Sequence, residues 1–282
     1  MPRDADFAAR ILLEDEHLLV VDKPAGLLTV GHADAKGRCV LDELRAAGRP
    51  VAPVHRLDRE TSGALLLSRA PHSHRAALED AFREHAVAKH YLALVLGRPQ
   101  SKRARIELPI HDEGKTARVD RRGRPAVTHY ELLHAADGWS LLRCTLETGR
   151  HNQIRVHLAH LGHPLVGDRK FAHGDPRLAK LPAPRCLLHA EQLGFTHPAT
   201  GARVKVRAPV PDDMRALLDA AGVPHELPPP RDLPTSPTPA PRRGAQRNAA
   251  GRTAAGGKRV SRGRGSARRP TSRGPGRRSR RR

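Results

Sequence analysis

The chain has 282 residues and a formal net charge of +22, with 51 Lys/Arg against 29 Asp/Glu. That length is enough for a sizeable core and a cleft, and no stretch approaches the roughly 18 apolar residues of a membrane span. The charge is lopsided: residues 228–282 hold 17 Lys/Arg and a single acid, Asp232, which leaves +6 on residues 1–227.

The first segment, ILLEDEHLLVVDKPAGLL (11–28), reads as two short strands about an acidic turn, closed by the Lys23-Pro24-Ala25-Gly26 loop because Pro and Gly both break a ladder. CVLDELRAAG predicts a short amphipathic helix ending at Gly48, GALLLSRA a buried strand, and PHSHRAALEDAFREH a helix opened by Pro71. KHYLALVLG alternates as a strand should, with Lys89, Tyr91, Ala93 and Val95 on one face. RIELPI, PAVTHYELLHAA and WSLLRCTLE add three strands, the last two joined by a hairpin at Asp137-Gly138. IRVHLAHLG is a helix, CLLHAEQLGFTH and ARVKVRAPV are strands around PATG, and PDDMRALLDAAG is the closing helix. Strands outnumber helices and follow one another by short turns, which favours an α+β fold with a mixed, mostly antiparallel sheet.

From residue 228, PPPRDLPTSPTPAPRR is a polyproline-type linker leading into Arg/Gly/Ser/Pro low complexity. Such a segment cannot bury enough apolar surface to fold, so the expected organisation is a folded domain over 1–227 and a disordered basic tail over 228–282. The start, MPRDADFAAR, lacks the apolar core of a signal peptide, which predicts a cytoplasmic protein. Cys39, Cys144 and Cys186 are far apart with no C-x-x-C pair, and are expected to be small core residues. Neither nucleotide-binding glycine pattern occurs, so no nucleotide cofactor is indicated.

Three constellations could carry chemistry; the first is KHYLALVLG, where Tyr91, one of only two tyrosines, could stack on a base, although taken alone a core or edge tyrosine is the commoner outcome. In HRLDRETSG (55–63), Arg56 and Asp58 share a face if the segment is extended, and the Thr61-Ser62-Gly63 stretch can fix the backbone beyond them. A carboxylate beside a guanidinium favours its charged form, which suits a nucleophile better than a general acid. For an arbitrary R-x-D, an exposed ion pair is the commoner outcome. In ETGRHNQIRVHLAHLGHPLVGD (147–168), Gly149 and Arg150 precede a helix start where an anion could sit, with Arg155 inside the helix. His151, His157, His160 and His163 include i, i+3 neighbours, yet no H-E-x-x-H or thiolate partner completes a zinc site, so no metal is expected.

The segments VVDKPAGLLT (20–29), HRLDRETSGALLLSRA (55–70), KHYLALVLG (89–97), TGRHNQIRVHLAHLGHPLVGD (148–168) and LLHAEQLGFTHPATG (187–201) resemble, in order and spacing, the motifs of the RluA-type pseudouridine synthases. The resemblance implies a pseudouridine synthase-like catalytic domain with a central cleft, isomerising uridine in ribosomal or transfer RNA without cofactor or metal. It places the catalytic aspartate at Asp58, the arginine associated with the flipped-out uridine at Arg56, the active-site tyrosine at Tyr91, and the basic residue that pairs with the aspartate at Arg155. This chain departs from the family at His151-Asn152, where Thr or Ser and then His usually follow T-G-R, and at Phe171, a place often held by tyrosine. It also begins too near the first motif for the S4-like domain of some relatives. The expected partner is an RNA stem-loop, met by a monomer. The competing readings are a non-catalytic RNA-binding or assembly protein on the same fold, and a metal-dependent nuclease or deaminase, which the missing ligand cluster disfavours.

Overall fold

A computed structural model describes residues 10–31, 38–114, 116–224 and 226–231. Its strands are β1 (Ile11–Glu14), β2 (Leu18–Lys23), β3 (Val51–Pro53), β4 (Ser62–Arg69), β5 (Ala88–Leu96), β6 (Arg103–Glu107), β7 (Ile110–Asp112), β8 (Ala117–Val119), β9 (Val127–Ala135), β10 (Trp139–Leu146), β11 (Leu188–Thr196) and β12 (Arg203–Arg207). The helices are α1 (Val40–Ala46), α2 (Arg75–Arg83), α3 (Gln153–His160) and α4 (Asp212–Ala220). Ten strands form one sheet in the order β1-β2-β4-β11-β5-β10-β9-β6, with β3 on β4 and β12 on β11; β7 and β8 form a separate hairpin. β4 and β11 run parallel, and the other named pairs run antiparallel. The mixed, mostly antiparallel α+β sheet expected from the sequence is therefore present.

The central strands are apolar on both faces because both faces are covered. On β5, Leu92, Leu94 and Leu96 pack with Met214 and Leu218 of α4, while Ala93 and Val95 pack with Ile154 and Leu158 of α3. On β4, Leu65 and Leu67 join Val40 and Leu44 of α1, and Leu66 joins Leu78 of α2. Continuous burial on two sides replaces the alternation of a half-exposed strand. All three cysteines are buried and free, Cys144 at the strand core and Cys186 just before β11.

The parallel step between β4 and β11 is short, with Ser62 facing His189 and Gly63 facing Ala190. It brings the two backbones so close that a Cβ on Gly63, whose φ is +109°, would sit 2.2 Å from the Ala190 carbonyl oxygen. Only glycine fits there. The segment that carries Asp58 runs directly into this junction.

Two expectations need correction. The helix expected from Pro71 starts at Arg75, because His72 adopts a left-handed φ of 64° and its N–H closes a turn on the Arg69 carbonyl. RIELPI is not one strand: β6 ends at Glu107, and Ile110 begins the β7–β8 hairpin, which the sequence pattern does not reveal. Ordered packing also crosses residue 228. The Leu227 carbonyl accepts from Arg207 Nη2 at 3.1 Å and the Pro228 carbonyl from Arg143 Nη2 at 2.7 Å. Residues 232–282, where the disordered tail is expected, lie outside the described residues.

Candidate active site

Asp58 sits on a turn held from three directions. Its own carbonyl accepts from the Thr61 N–H at 3.1 Å, closing the turn. Just before it, Leu57 is buried and bracketed by Thr29, whose hydroxyl accepts from Leu57 N at 3.1 Å and donates to Leu57 O at 3.0 Å. Just after it, the Arg59 carbonyl accepts from Gly26 N at 2.8 Å and from Lys23 Nζ at 3.2 Å. Lys23 is fully buried and also donates to the carbonyls of Pro24 at 3.0 Å and Leu27 at 2.7 Å. Burial pushes this lysine down to about 7, helped by the charge of Arg185 and opposed by Asp58 and Asp22.

Behind the turn, Arg185 is 7% exposed and satisfies its donors almost entirely inside the protein. It donates to the carbonyls of Glu60, Cys186 and Leu188, to Ser62 Oγ, and in a two-pronged pair to Asp213 of α4 at 2.6 and 2.8 Å. The turn, the start of β4, the start of β11 and the closing helix thus share one guanidinium. His55 stacks on Phe82 at 4.2 Å and accepts the Leu66 N–H on Nε2 at 3.0 Å. Burial, aided by the charge of Lys89, drives His55 down to about 3, so it stays neutral and serves as a structural acceptor.

All four residues singled out in the sequence line one cleft of about 1050 Å³: Arg56, Asp58, Tyr91 and Arg155. Arg56 is exposed, Leu57 points into the core and Asp58 is half-buried, so Arg56 and Asp58 do lie on the cleft side of that core residue. They form no ion pair with each other. The charge of Asp58 acts instead on Lys23, Tyr91 and Arg155. Tyr91 packs against the core clusters that contain Leu188 and Leu57, and burial, reinforced by Asp58, holds its phenol well above the ordinary range. Next to it in the strand alternation, Lys89 is 6% exposed, lowered to about 8 by burial, and has no hydrogen-bond partner among the described residues.

Arg155 was expected to pair with Asp58; its two-pronged ion pair goes to Asp168, Nε to Oδ2 at 2.7 Å and Nη2 to Oδ1 at 2.8 Å. Asp168 is fully buried, and its Oδ1 also accepts from the N–H groups of Lys170 and Phe171. Burial alone would raise the Asp168 carboxyl, but Arg155 and these donors hold it low. Burial likewise opposes the charge of Arg155, and Asp168 more than offsets it. The Phe171 ring lies 4.9 Å from the Arg155 guanidinium carbon, a cation–π contact that a phenyl ring makes as well as a tyrosine. Asp168 in the plane and Phe171 on the face leave Arg155 one orientation, toward the cleft.

The histidines of this segment divide by burial. His157 is fully buried, bonded to Thr128 Oγ1 at 2.9 Å and the Leu108 carbonyl at 2.9 Å, and His163 contacts the Leu96 carbonyl at 3.0 Å. Both are fold residues. Among the described residues no cluster of His, Cys, Asp or Glu is placed to hold a metal ion. Lys23, Thr29, Asp168 and Arg185 are the site-building residues that sequence reasoning did not single out. Lys23, Thr29 and Asp168 lay inside quoted motifs, which was the available signal.

Among the described residues the cleft wall carries six Lys/Arg against two carboxylates, Asp58 and Asp112. A cleft lined mostly by cations, with a carboxylate whose charge acts on a buried tyrosine, suits a polyanionic partner. The chain belongs to the RNA pseudouridine synthase family: the family model described as RNA pseudouridylate synthase matches residues 17–160. It is 39% identical over 234 residues to the ribosomal large subunit pseudouridine synthase D of Nitrosomonas europaea, covering 77% of this chain and 66% of that relative. It is also 38% identical over 205 residues to the dual-specificity RNA pseudouridine synthase RluA of Escherichia coli, covering 71% of this chain and 92% of that one. The fold matches human RNA pseudouridylate synthase domain containing 4 with a TM-score of 0.63 at 24% identity, over 76% of this chain and 93% of that chain.

Proposed function

We propose that this protein isomerises uridine to pseudouridine in ribosomal RNA, transfer RNA or both, with Asp58 as the catalytic carboxylate and no cofactor. The names of its relatives, which act on the ribosomal large subunit or are dual-specificity enzymes, support that range of substrates. The reaction breaks the C1′–N1 glycosidic bond, turns the base and joins C5 to C1′; C5 loses a proton and N1 gains one. Nothing is oxidised and no fragment leaves, so one carboxylate suffices where a glycoside hydrolase usually needs two.

The observation that carries the reading is that Asp58 is the only cleft carboxylate whose charge reaches both Tyr91 and Arg155 among the described residues. Asp112, the other acid of the cleft, is engaged by His151. The target nucleotide must leave its stack to reach Asp58. In this reading exposed Arg56 meets the RNA, the Tyr91 ring packs on the flipped base, and Arg155, held by Asp168, steadies the negative charge that develops beside Asp58. Asp58 serves by attacking the base or the sugar or by removing a sugar proton; all three routes need it unprotonated and shielded from water.

The test is conversion of uridine in unmodified ribosomal and transfer RNA by wild type and by Asp58→Asn, which keeps shape and removes the charge. Loss of product with unchanged RNA binding is expected. Equal pseudouridine yield from the two proteins would remove Asp58 from the mechanism, and RNA binding without any product from wild type would favour a purely RNA-binding protein.

A further inference from the structure

At the rim of the cleft, four side chains form a continuous line. Arg155 Nη1 donates to Asn152 Oδ1 at 2.8 Å. Asn152 Nδ2 lies 2.9 Å from His151 Nε2, and His151 Nδ1 lies 3.2 Å from Asp112 Oδ1 on the β7–β8 hairpin. We infer that His151 and Asn152 are positioning residues that tie the β7–β8 hairpin to Arg155 through a one-way hydrogen-bond chain, intact only while His151 is neutral. The inference rests on Arg155 belonging to the active site.

The direction of the chain follows from elementary donor and acceptor chemistry. A guanidinium only donates, so the oxygen of Asn152 must face Arg155. The amide nitrogen of Asn152 then faces His151 and donates, so Nε2 must be bare and the ring proton must sit on Nδ1. That proton is donated to Asp112, which as a carboxylate only accepts. Each group's role is fixed by its neighbour, from a donor-only end to an acceptor-only end. Both ends are themselves anchored: Arg155 on Asp168, and Asp112 by the Gly114 N–H at 2.9 Å. Asn152 holds a left-handed φ of 54°, a conformation asparagine tolerates better than most residues.

Protonating His151 puts an N–H on Nε2, directly against the N–H of Asn152. Turning the amide over would satisfy the ring but place its nitrogen against Arg155 Nη1. One link fails in either arrangement, so proton uptake either frees the hairpin from the helix start or removes the third fixed bond of Arg155. The charged groups around the chain oppose one another. Asp112 bonds the ring, Lys170 acts on Asp112, and Arg150 and Arg155 line the same cleft. Farther along the hairpin, Glu113 is occupied by Arg118 and His111. Because Arg155 keeps its pair with Asp168, the loss is graded rather than total.

Two measurements on the full chain test this. In tritium release from C5-labelled uridine in unmodified ribosomal and transfer RNA, kcat is expected to fall on acidification. His151→Gln, which accepts from Asn152 and donates to Asp112 without titrating, keeps the high-pH kcat and loses that acid step. His151→Ala lowers kcat roughly tenfold at every pH with KM nearly unchanged, because a mispositioned catalytic group costs rate rather than affinity. The second readout needs no turnover: the Nε–H NMR signal of Arg155 in isotope-labelled protein, assigned by its loss in Arg155→Lys, moves with pH in wild type and stays still in His151→Gln. An acid step retained in His151→Gln, or an Arg155 signal that titrates identically in both proteins, overturns the inference. Turnover lost in Asp58→Asn but indifferent to His151 refutes the chain and leaves the proposed reaction standing. Absent turnover in wild type refutes the reaction, and the NMR titration then still decides the chain.

Discussion

Lys23 places an ammonium in full burial, with three backbone carbonyls as its hydrogen-bond partners. Those carbonyls belong to the Pro24–Leu27 loop and to Arg59, so the lysine staples the first motif to the turn that presents Asp58. Its charge is costly there, which is why it sits at about 7 rather than at 10.5. Below pH 7 both the folded and the unfolded chain hold the proton, and the full burial cost stands. Between about 7 and 10.5 the unfolded chain binds a proton that the folded one has shed, so stability rises with pH across that window. Lys89, lowered to about 8, contributes with the same sign over a narrower range. Urea unfolding of wild type and Lys23→Met at pH 7 and pH 9 separates the two lysines. Wild type is expected to gain more stability than the variant between these values, and Lys23→Met to retain only the Lys89 part. Equal gains would mean that Lys23 does not titrate in the folded protein. At either pH the variant leaves three carbonyls without their donor, so it is also expected to lower kcat by loosening Asp58.

At the scale of elements, the parallel contact between β4 and β11 decides the geometry of the site, and Gly63 permits it. A Cβ there would meet backbone, the Ala190 carbonyl oxygen at 2.2 Å, and φ is +109°. Gly63→Ala is expected to cost on the order of 3–5 kcal/mol, the range of a backbone forced apart inside a core. Gly48→Ala isolates the conformational part, because Gly48 also has positive φ, +73°, but nothing within 4 Å of its Cβ position; it should cost about 1 kcal/mol. Similar unfolding midpoints for the two variants would refute the steric argument. Most elements were legible from sequence, since β4 and β5 carry runs of apolar residues and α4 is amphipathic over nine residues. The β7–β8 hairpin was not, because three-residue strands carry too little period, and its inward residues, Ile110 and Ala117, look like loop apolars until they pack with Val156 of α3. The start of α2 was misplaced because a left-handed His72 leaves no compositional trace. At the site, Asp58, Tyr91, Arg155 and Arg56 stood out through motifs. Asp168 as the partner of Arg155, and Arg185 as the clamp on Glu60 and Ser62, did not. Their contacts span 13, 125 and 123 residues, and a side chain that bonds distant groups has no local signature.

For the whole molecule the open question is what residues 228–282 add, with a net +16 against the +6 of everything before them. The root of this segment is fixed. Glu191, fully buried, pairs with Arg143 at 2.7 Å and Arg207 at 2.6 Å, and those arginines hold the Pro228 and Leu227 carbonyls. Among the described residues the cleft already supplies six cations, so the folded body is expected to bind RNA without the tail, with the added charge acting on encounter and affinity rather than chemistry. Truncation after Arg231 keeps the whole latch and removes 16 of the 17 basic residues. The melting temperature and the kcat at saturating RNA are expected to stay unchanged. Affinity should fall, and the slope of log K against log salt should become shallower by about 0.7 to 0.9 for each phosphate that the tail no longer neutralises. A second variant of full length, with the tail arginines replaced by serine, distinguishes charge from mere length. It should behave as the truncation does, because released counterions and not chain contour set the slope. If both variants keep the wild-type slope, the tail neutralises no phosphates; if only the truncation weakens binding, chain length rather than charge is what it contributes.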